Sequence, residues 1–325
     1  MTTVRTLDGA IASSGAAPAG QGRSSRAGRS AGIAFGLASA MFFGTSGTFG
    51  SALIGAGWSP GGAVLARVAI AALALTIPAL IALRGRWSQL RRSAWRVLTY
   101  GLVGVAACQV CYFNAISLMP VGIALLLEYM AVVLIVGWLW LRHGQRPRTL
   151  TVVGGVAALC GLALMLNLSG SGGASPVGVA WALLAAIALA VYFFQSADDD
   201  ADALPAVVLT WGGMVTGAAA LAAGGAAGLV PLRANASDVD LFGHRASVLV
   251  PVLGLSLVAA AAAYVLGVGA ARRLGPKLGS FVAMAEIGFA VVFAWVLLHQ
   301  VPTTTQFLGG ALILAGVIAV RLDEF

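Results

Sequence analysis

The chain has 325 residues, of which 60% are hydrophobic and only 9% charged, and its mean hydropathy is +0.96. A soluble domain carries about 25% charged residues, so the composition excludes a soluble protein and indicates an integral membrane protein. The formal charge of +8 would suit a nucleic-acid ligand, but the basic residues stand in short loops beside apolar segments, and no nucleic acid is expected.

The first 30 residues are rich in Ser, Ala, Gly and Arg and contain no apolar run. This composition predicts a disordered cytoplasmic tail over residues 1–30. Without a contiguous apolar region, the tail does not fit a cleaved signal peptide.

Ten apolar segments follow the tail, each near the roughly 20 residues that a helix needs to cross a bilayer. Because hydrocarbon offers no partner to open backbone groups, all ten are predicted to be helices. Seven prolines stand at or near the joins, where helices begin. The predicted spans are residues 31–54, 62–83, 96–117, 121–141, 149–168, 176–196, 206–230, 246–270, 278–298 and 303–321.

The basic residues predict the orientation of these spans. Sixteen of the nineteen fall in the tail, in the second, fourth and eighth loops, or at the end of the last span. Only Arg233 and Arg245 fall on the other side, and Arg67 lies inside a span. The positive-inside rule then places both termini in the cytoplasm, in a multi-pass protein of the inner (plasma) membrane. The acidic loop 198–202 would lie on the same side.

The two halves of the chain repeat one pattern. MPVGIALLLEYMAVVLIVGWLWL and GPKLGSFVAMAEIGFAVVFAWVLL each place one glutamate, Glu128 or Glu286, in an apolar span. The next span in each half opens with Gly-Gly and has a further glycine, Gly161 or Gly316. Five spans per half is an odd number, so the halves must be inverted in the membrane. The prediction is an all-α integral membrane fold of ten transmembrane helices in two inverted five-helix repeats, residues 31–168 and 176–321.

Several segments resemble one family. FFGTSG at 42–47, Pro60 followed by Arg67, WALLAAIALAVYFFQSA at 181–197, PVGIALLLEY and SFVAMAE are similar to ten-span members of the EamA family of the drug/metabolite transporter superfamily. The likeness covers residues 31–321 and is strongest to the threonine/homoserine exporter branch. It implies transport of amino acids or related metabolites, more often outward. The chain departs from the family in having Ile287 soon after the second glutamate, where proline is usual, and glutamines at 145 and 300 instead of acidic residues.

Glu128 and Glu286 are the only acidic residues inside predicted spans. A charged residue at a helix centre costs about 2.5–3.5 kcal/mol on insertion, so both are candidates for a role. Each can serve as a protonatable site facing a central cavity, or pair with a substrate ammonium group. The alternative is a structural hydrogen bond between helices.

Arg67 lies five residues into the second predicted span and can snorkel to the interface, pair with Glu128 or anchor a substrate carboxylate. Other polar side chains in the spans can line a substrate cavity, although each can equally serve the packing of helices. These candidate substrate-binding residues are Thr45, Ser46, Tyr112, Asn114, Tyr192, Gln195 and Tyr264.

Other chemistries find little support in the sequence. The cysteines, all inside apolar segments, are interpreted as packing residues. Residues 44–47 read G-T-S-G, similar to the serine motif of rhomboid-type proteases, but the three histidines stand in loops or at span ends, where they cannot act as the base. No nucleotide or metal motif occurs, so no enzyme activity and no cofactor or metal is expected.

The sequence therefore predicts a secondary active transporter of a small metabolite, an amino acid or a related compound, working by alternating access. Export is the expected direction, and Glu128 is the expected site of proton coupling. The alternative is a multi-span receptor or scaffold that transports nothing. The expected partners are the substrate and the lipid bilayer, with the choice between a monomer and a homodimer left open.

Overall fold

A computed structural model describes residues 21–143, 149–166, 175–196, 204–241, 243–298 and 303–322. Residues 1–20 of the predicted tail and the acidic loop 198–202 lie outside this description. The first helix begins at Gln21, within the segment that the composition assigns to the tail.

The described chain is almost entirely helical. The helices of the first half are α1 (Gln21–Gly44), α2 (Ser46–Gly55), α3 (Pro60–Ala82), α4 (Trp87–Arg92), α5 (Ala94–Thr99), α6 (Cys108–Ile116), α7 (Val121–Glu128), α8 (Ala131–His143) and α9 (Thr149–Leu166). Those of the second half are α10 (Pro176–Ser196), α11 (Ala206–Ala226), α12 (Leu249–Leu253), α13 (Ala263–Ala283), α14 (Ala285–Leu298) and α15 (Thr304–Leu322). A short antiparallel hairpin, β1 (Val239–Leu241) and β2 (His244–Ala246), stands between α11 and α12.

The lengths of the helices support a membrane protein. Six helical stretches in the described residues are long and apolar enough to span a bilayer: Gly28–Gly55, Pro60–Ala82, Ala94–Ile116, Pro176–Ser196, Ala206–Ala226 and Leu249–Leu274. Four shorter apolar helices lie where the remaining spans are predicted: Val121–Ile135, Val152–Gly161, Ala285–Leu298 and Phe307–Gly316. The all-helical membrane architecture is confirmed, while the count of ten spans stays a prediction.

Proline marks the start of several helices, as the sequence predicts. Pro60 is the first residue of α3 and Pro176 the first of α10, while Pro120 and Pro205 directly precede α7 and α11. The proline ring fixes φ near its helical value, and the missing N–H is one that a first turn leaves unpaired. At α3 the Ser59 hydroxyl completes the cap by accepting a 3.1 Å hydrogen bond from the Gly62 amide.

The two halves interlock, and their contacts follow an approximate two-fold relation. Helix α1 packs on α13 and α14, and its counterpart α10 packs on α6 and α7. Helices α3 and α11 pack on each other, as do α9 and α15. These contacts of one half are thus matched by the corresponding elements of the other.

Glycines bring α9 and α15 into backbone contact. A Cβ atom added at Gly161 would lie 2.5 Å from the Gly309 carbonyl oxygen, and one added at Gly316 would overlap the Gly154 carbonyl oxygen. Small residues allow this close approach of helices in membranes. Gly154 and Gly309 are 155 residues apart, as are Gly161 and Gly316, so the two contacts are reciprocal.

Each half also contains one π-helical segment. Residues Tyr100–Ala107 join α5 to α6, and residues Gly254–Ala262 join α12 to α13. The segments begin 154 residues apart and end 155 residues apart, which matches the spacing of the glycines. The same spacing of 155 residues relates Gln109 and Tyr264, each of which stands shortly after its π-helical segment.

At one end of the bundle, loop 56–59 after α2 is hydrogen-bonded to residues 229–237 before β1. These two segments together are called the clasp. The Ser59 hydroxyl donates to the Pro231 carbonyl at 2.6 Å and accepts from the Arg233 amide at 2.8 Å. The Asn235 side-chain amide donates to the Ala56 carbonyl at 2.9 Å. The clasp thus joins the two halves of the chain at this end of the bundle. The opposite end carries Arg96 and Arg273 and is called the basic end.

Candidate functional site

Three long helices are interrupted part-way along their length. Helix α1 ends at Gly44 and α2 begins at Ser46. Helix α7 ends at Glu128 and α8 begins at Ala131, while α13 and α14 are separated by Met284. Interrupted helices free backbone groups from the helical ladder, and in membrane transporters such breaks surround the binding site.

A cavity of about 60 Å³ lies among these interruptions. It extends from Ser46 and Glu128 near the middle of the bundle to Ala271 and Gly279 at the basic end. Its polar lining residues are Ser39, Ser46, Cys108, Gln109, Tyr112, Glu128, Tyr129, Tyr192, Tyr264 and Glu286.

Glu128 is the last residue of α7 and is only 5% exposed. The Cys108 thiol donates to its Oε1 atom at 3.2 Å. Cys108 also lies 3.8 Å, at its sulfur, from the Ala185 carbonyl oxygen, so it ties the first acidic residue to α10. The interpretation of Cys108 as a packing residue alone is therefore incomplete.

Glu286 stands in the first turn of α14, directly after the interruption at Met284. The Tyr129 hydroxyl donates to its Oε2 atom at 2.9 Å. The same hydroxyl lies 2.8 Å from the Ala283 carbonyl oxygen. The break in this helix thus precedes the acidic residue, whereas the break after α7 follows Glu128.

Arg67 is buried, with 1% exposure, and its side chain is turned into the bundle rather than toward the membrane surface. Its guanidinium donates to Ser46 Oγ at 2.6 Å, to Gln109 Oε1 at 2.5 Å and to the Ala259 carbonyl oxygen. All three acceptors are neutral. Ser46 and Gln109 line the cavity, so Arg67 lies behind its wall.

Aromatic rings form another part of the wall. The ring centroid of Tyr264 lies 4.8 Å from that of Phe43 and 5.6 Å from that of Tyr192, and both pairs are edge-to-face. The Tyr264 hydroxyl accepts a 3.1 Å hydrogen bond from the Gln109 side-chain amide. Such edge-to-face packing holds the rings in fixed orientations beside the cavity.

The structure brings six of the ten predicted site residues to this cavity: Ser46, Tyr112, Glu128, Tyr192, Tyr264 and Glu286. Of the others, Arg67 lies behind the wall. The Thr45 hydroxyl donates to the Phe42 carbonyl of α1. The Asn114 side-chain amide donates to the Val110 carbonyl of its own helix, α6.

Gln195 lies near the basic end and not at the cavity. Its side-chain amide donates to the Thr99 hydroxyl at 2.9 Å. Its backbone carbonyl accepts a 2.9 Å hydrogen bond from the Arg96 guanidinium.

Two residues that hold the carboxylates were not predicted from the sequence. Tyr129 directly follows Glu128, and Cys108 stands one helical turn before Tyr112. Helical spacing with a predicted cavity residue could have found Cys108, but nothing in the sequence links Tyr129 to Glu286.

Within the described residues, no group of three or more His, Cys, Asp or Glu side chains is placed to hold a metal ion. Ser46, the serine of the G-T-S-G motif, accepts a hydrogen bond from Arg67, whereas a nucleophilic serine donates its proton to a histidine base. The site therefore consists of two carboxyl groups held by neutral donors, beside aromatic rings and a buried guanidinium.

Two stretches of the chain, residues 30–167 and 176–322, each match the family model described as "EamA-like transporter family". A solved structure described only as "Crystal structure of protein" is 24% identical, with a TM-score of 0.61, over 90% of this chain and 97% of that one. At this identity the likeness shows the fold alone. No curated protein matches the chain.

Proposed function

Because the chain belongs to the EamA-like transporter family, it is a membrane transporter of small molecules, and we propose that it is secondary active, exchanging protons for a metabolite. The expected substrate is an amino acid or a related compound, and the expected direction is export. This proposal concerns the substrate, the direction and the coupling, which go beyond the family assignment.

The observation that carries the proposal is the position of the two carboxyl groups. Glu128 and Glu286 come from opposite halves of the chain, line one cavity and stand at interruptions of their helices. Transporters built from repeats bind substrate between the repeats near the bilayer midplane, at helices of this kind. Carboxyl groups at that depth are costly to insert, and in membrane proteins they commonly mark pathways for a substrate or a proton.

Alternating access needs one end of the bundle closed while the other is open. The clasp joins the two halves at one end, and the cavity extends toward the other, the basic end. The positive-inside rule identifies the basic end with the cytoplasm. We therefore interpret this arrangement as facing the cytoplasm, in an inner-membrane protein with both termini on that side.

Proton coupling follows if each carboxyl group binds either a proton or the substrate ammonium, but not both. The titratable groups that face Glu128 and Glu286 are Cys108, Tyr112 and Tyr129, with Arg67 behind the wall. Loss of protons on one side of the membrane and their uptake on the other would then alternate with substrate binding.

The test uses purified protein in liposomes with an imposed pH gradient, loaded with a mixture of amino acids and monoamines that is followed by mass spectrometry. The wild type should move at least one component when the gradient is present. Glu128→Gln should lose the gradient-driven flux, whereas Asp238→Asn, which changes an exposed carboxylate near the hairpin, should keep it. Wild-type flux in Glu128→Gln would reject the proton role. A wild-type protein that moves no component would favour a receptor or scaffold.

A further inference from the structure

We infer that the cavity selects organic ammonium compounds with an apolar or aromatic body and discriminates against compounds that carry a carboxylate. The inference rests on the proposed transport, and of the two expected substrate classes it favours the related compound, an amine without a carboxylate, over the amino acid. It comes from the charges of the cavity wall, from the partners of Arg67 and from the aromatic rings.

The first step is the sign of the charges that line the cavity. Among its lining residues, the side chains that can carry charge near neutral pH are Glu128 and Glu286, and none is Lys or Arg. Each carboxyl group accepts from a neutral donor, the Cys108 thiol or the Tyr129 hydroxyl. An ammonium group is the ligand that can pair with both, because a buried charge needs an opposite charge and hydrogen bonds.

The second step concerns Arg67, the group expected to anchor a substrate carboxylate. One guanidinium nitrogen donates to both Ser46 and Gln109, and the other donates to the Ala259 carbonyl. The remaining Nε atom is buried without a partner and contributes nothing to the cavity wall. A zwitterion would therefore bury its carboxylate without a cationic partner.

The third step is that the neutral groups in front of Arg67 are already engaged. Gln109 accepts from Arg67 with its oxygen and donates to Tyr264 with its nitrogen. Ser46 accepts from Arg67. A substrate carboxylate at this wall could accept from the Ser46 or the Tyr264 hydroxyl, but both are neutral donors, so the carboxylate would still be buried without a cationic partner.

The fourth step is the aromatic wall. Phe43, Tyr192 and Tyr264 present packed rings to the same cavity as the two carboxyl groups. Ring faces attract a cation and bury the apolar part of a ligand. A monoamine with an aromatic or aliphatic body satisfies both the rings and the carboxyl groups.

The experiment compares three ligands with the same ring and chain: 2-phenylethylamine, phenylalanine and 3-phenylpropionate. Calorimetry on the detergent-solubilised full chain should show saturable binding of the amine, weaker binding of phenylalanine by about tenfold or more, and no saturation with the acid. Equal or tighter binding of phenylalanine, or no binding of the amine, would overturn the inference.

Variants assign the binding to this cavity. Glu128→Gln and Glu286→Gln should each weaken the amine by about tenfold or more, and Tyr264→Leu should weaken it by several-fold through loss of the ring. Asp238→Asn should bind as the wild type does. If a Gln variant fails to elute as a monodisperse peak, Glu128→Asp replaces it, since it keeps the charge but shortens the reach. Unchanged binding in all cavity variants would place the amine elsewhere and overturn the inference.

Flux in liposomes separates the two proposals. In one outcome, the amine binds in a way that depends on the glutamates while none of the three compounds is transported. This result would contradict secondary transport and support the preference of the cavity for ammonium compounds. Gradient-driven flux of phenylalanine at a rate above that of the amine would keep the transporter and overturn the preference.

Discussion

The hydroxyl of Tyr129 donates a 2.9 Å hydrogen bond to Glu286, although the two residues are 157 positions apart in the chain. Tyr129 directly follows Glu128 at the end of α7, so a single interrupted turn carries one carboxyl group and holds the other. The two glutamates are therefore parts of one linked unit, and movement at the break after α7 reaches both.

Tyr129→Phe removes this bond while keeping the ring. Without the hydroxyl, the buried Glu286 carboxyl group loses this partner, which costs about 1–3 kcal/mol, so we expect a lower thermal unfolding temperature and slower flux. The check is a double-mutant cycle with Glu286→Met, which removes the acceptor at similar size, read from unfolding of the solubilised protein. Contacting residues give a coupling of about 0.5–3 kcal/mol, and strictly additive effects would contradict the link.

Arg67→Lys tests the buried guanidinium. An ammonium on a flexible stem cannot reproduce the fork that reaches Ser46, Gln109 and the Ala259 carbonyl, and each buried acceptor left unpaired costs about 1–3 kcal/mol. We expect a clear fall in the unfolding temperature measured by intrinsic fluorescence. Arg91→Ala, at an exposed arginine of α4, is the control and should change little. If Arg67→Lys is as stable as Arg91→Ala, the hydrogen bonds of the Arg67 guanidinium contribute nothing to the stability of the protein.

Gly161→Ala and Gly316→Ala test the contact between α9 and α15. Each new Cβ would meet a backbone carbonyl of the other helix, so the helices must move apart and the protein should lose stability. Gly155→Ala is the matched control in α9, since a Cβ there meets nothing within 4 Å. It should be neutral or stabilising by up to about 1 kcal/mol, because alanine favours the helix. Equal unfolding temperatures for all three variants would refute the glycine contact.

Ser59→Ala opens the clasp at one residue. The hydroxyl caps α3 and bonds to both Pro231 and Arg233, so its loss should destabilise the protein by about 1–3 kcal/mol. It should also raise hydrogen exchange at the amides of residues 229–237. Asp238→Asn is the control, because this exposed carboxylate lies directly after the clasp and outside it. Exchange that rises equally in both variants would count against the clasp.

Periodic features of the sequence predicted the main architecture. The apolar segments, the prolines at their starts and the glutamate in each half are local patterns, and the all-helical membrane fold and its two repeats follow from them. Some predicted boundaries were wrong: α1 begins at Gln21, inside the predicted tail, α11 ends at Ala226 rather than at 230, and α13 continues through the join predicted at 271–277.

The site depends on contacts that local patterns do not encode. The bonds from Tyr129 to Glu286 and from Ser59 to Arg233 join residues more than 150 positions apart. The sequence also left the orientation of Arg67 open. An arginine at this depth can either extend to the membrane surface or point into the bundle, and the sequence is the same in both cases. The packing of neighbouring helices, which offers three neutral acceptors, decides between them.

The π-helical segments bear on the history of the chain. A π-helix is rare, and in most proteins it is a single turn inside an α-helix, frequently at a functional site. Here two such segments, Tyr100–Ala107 and Gly254–Ala262, keep the spacing of the repeat. The shared spacing is what a duplicated half that already contained the segment would give.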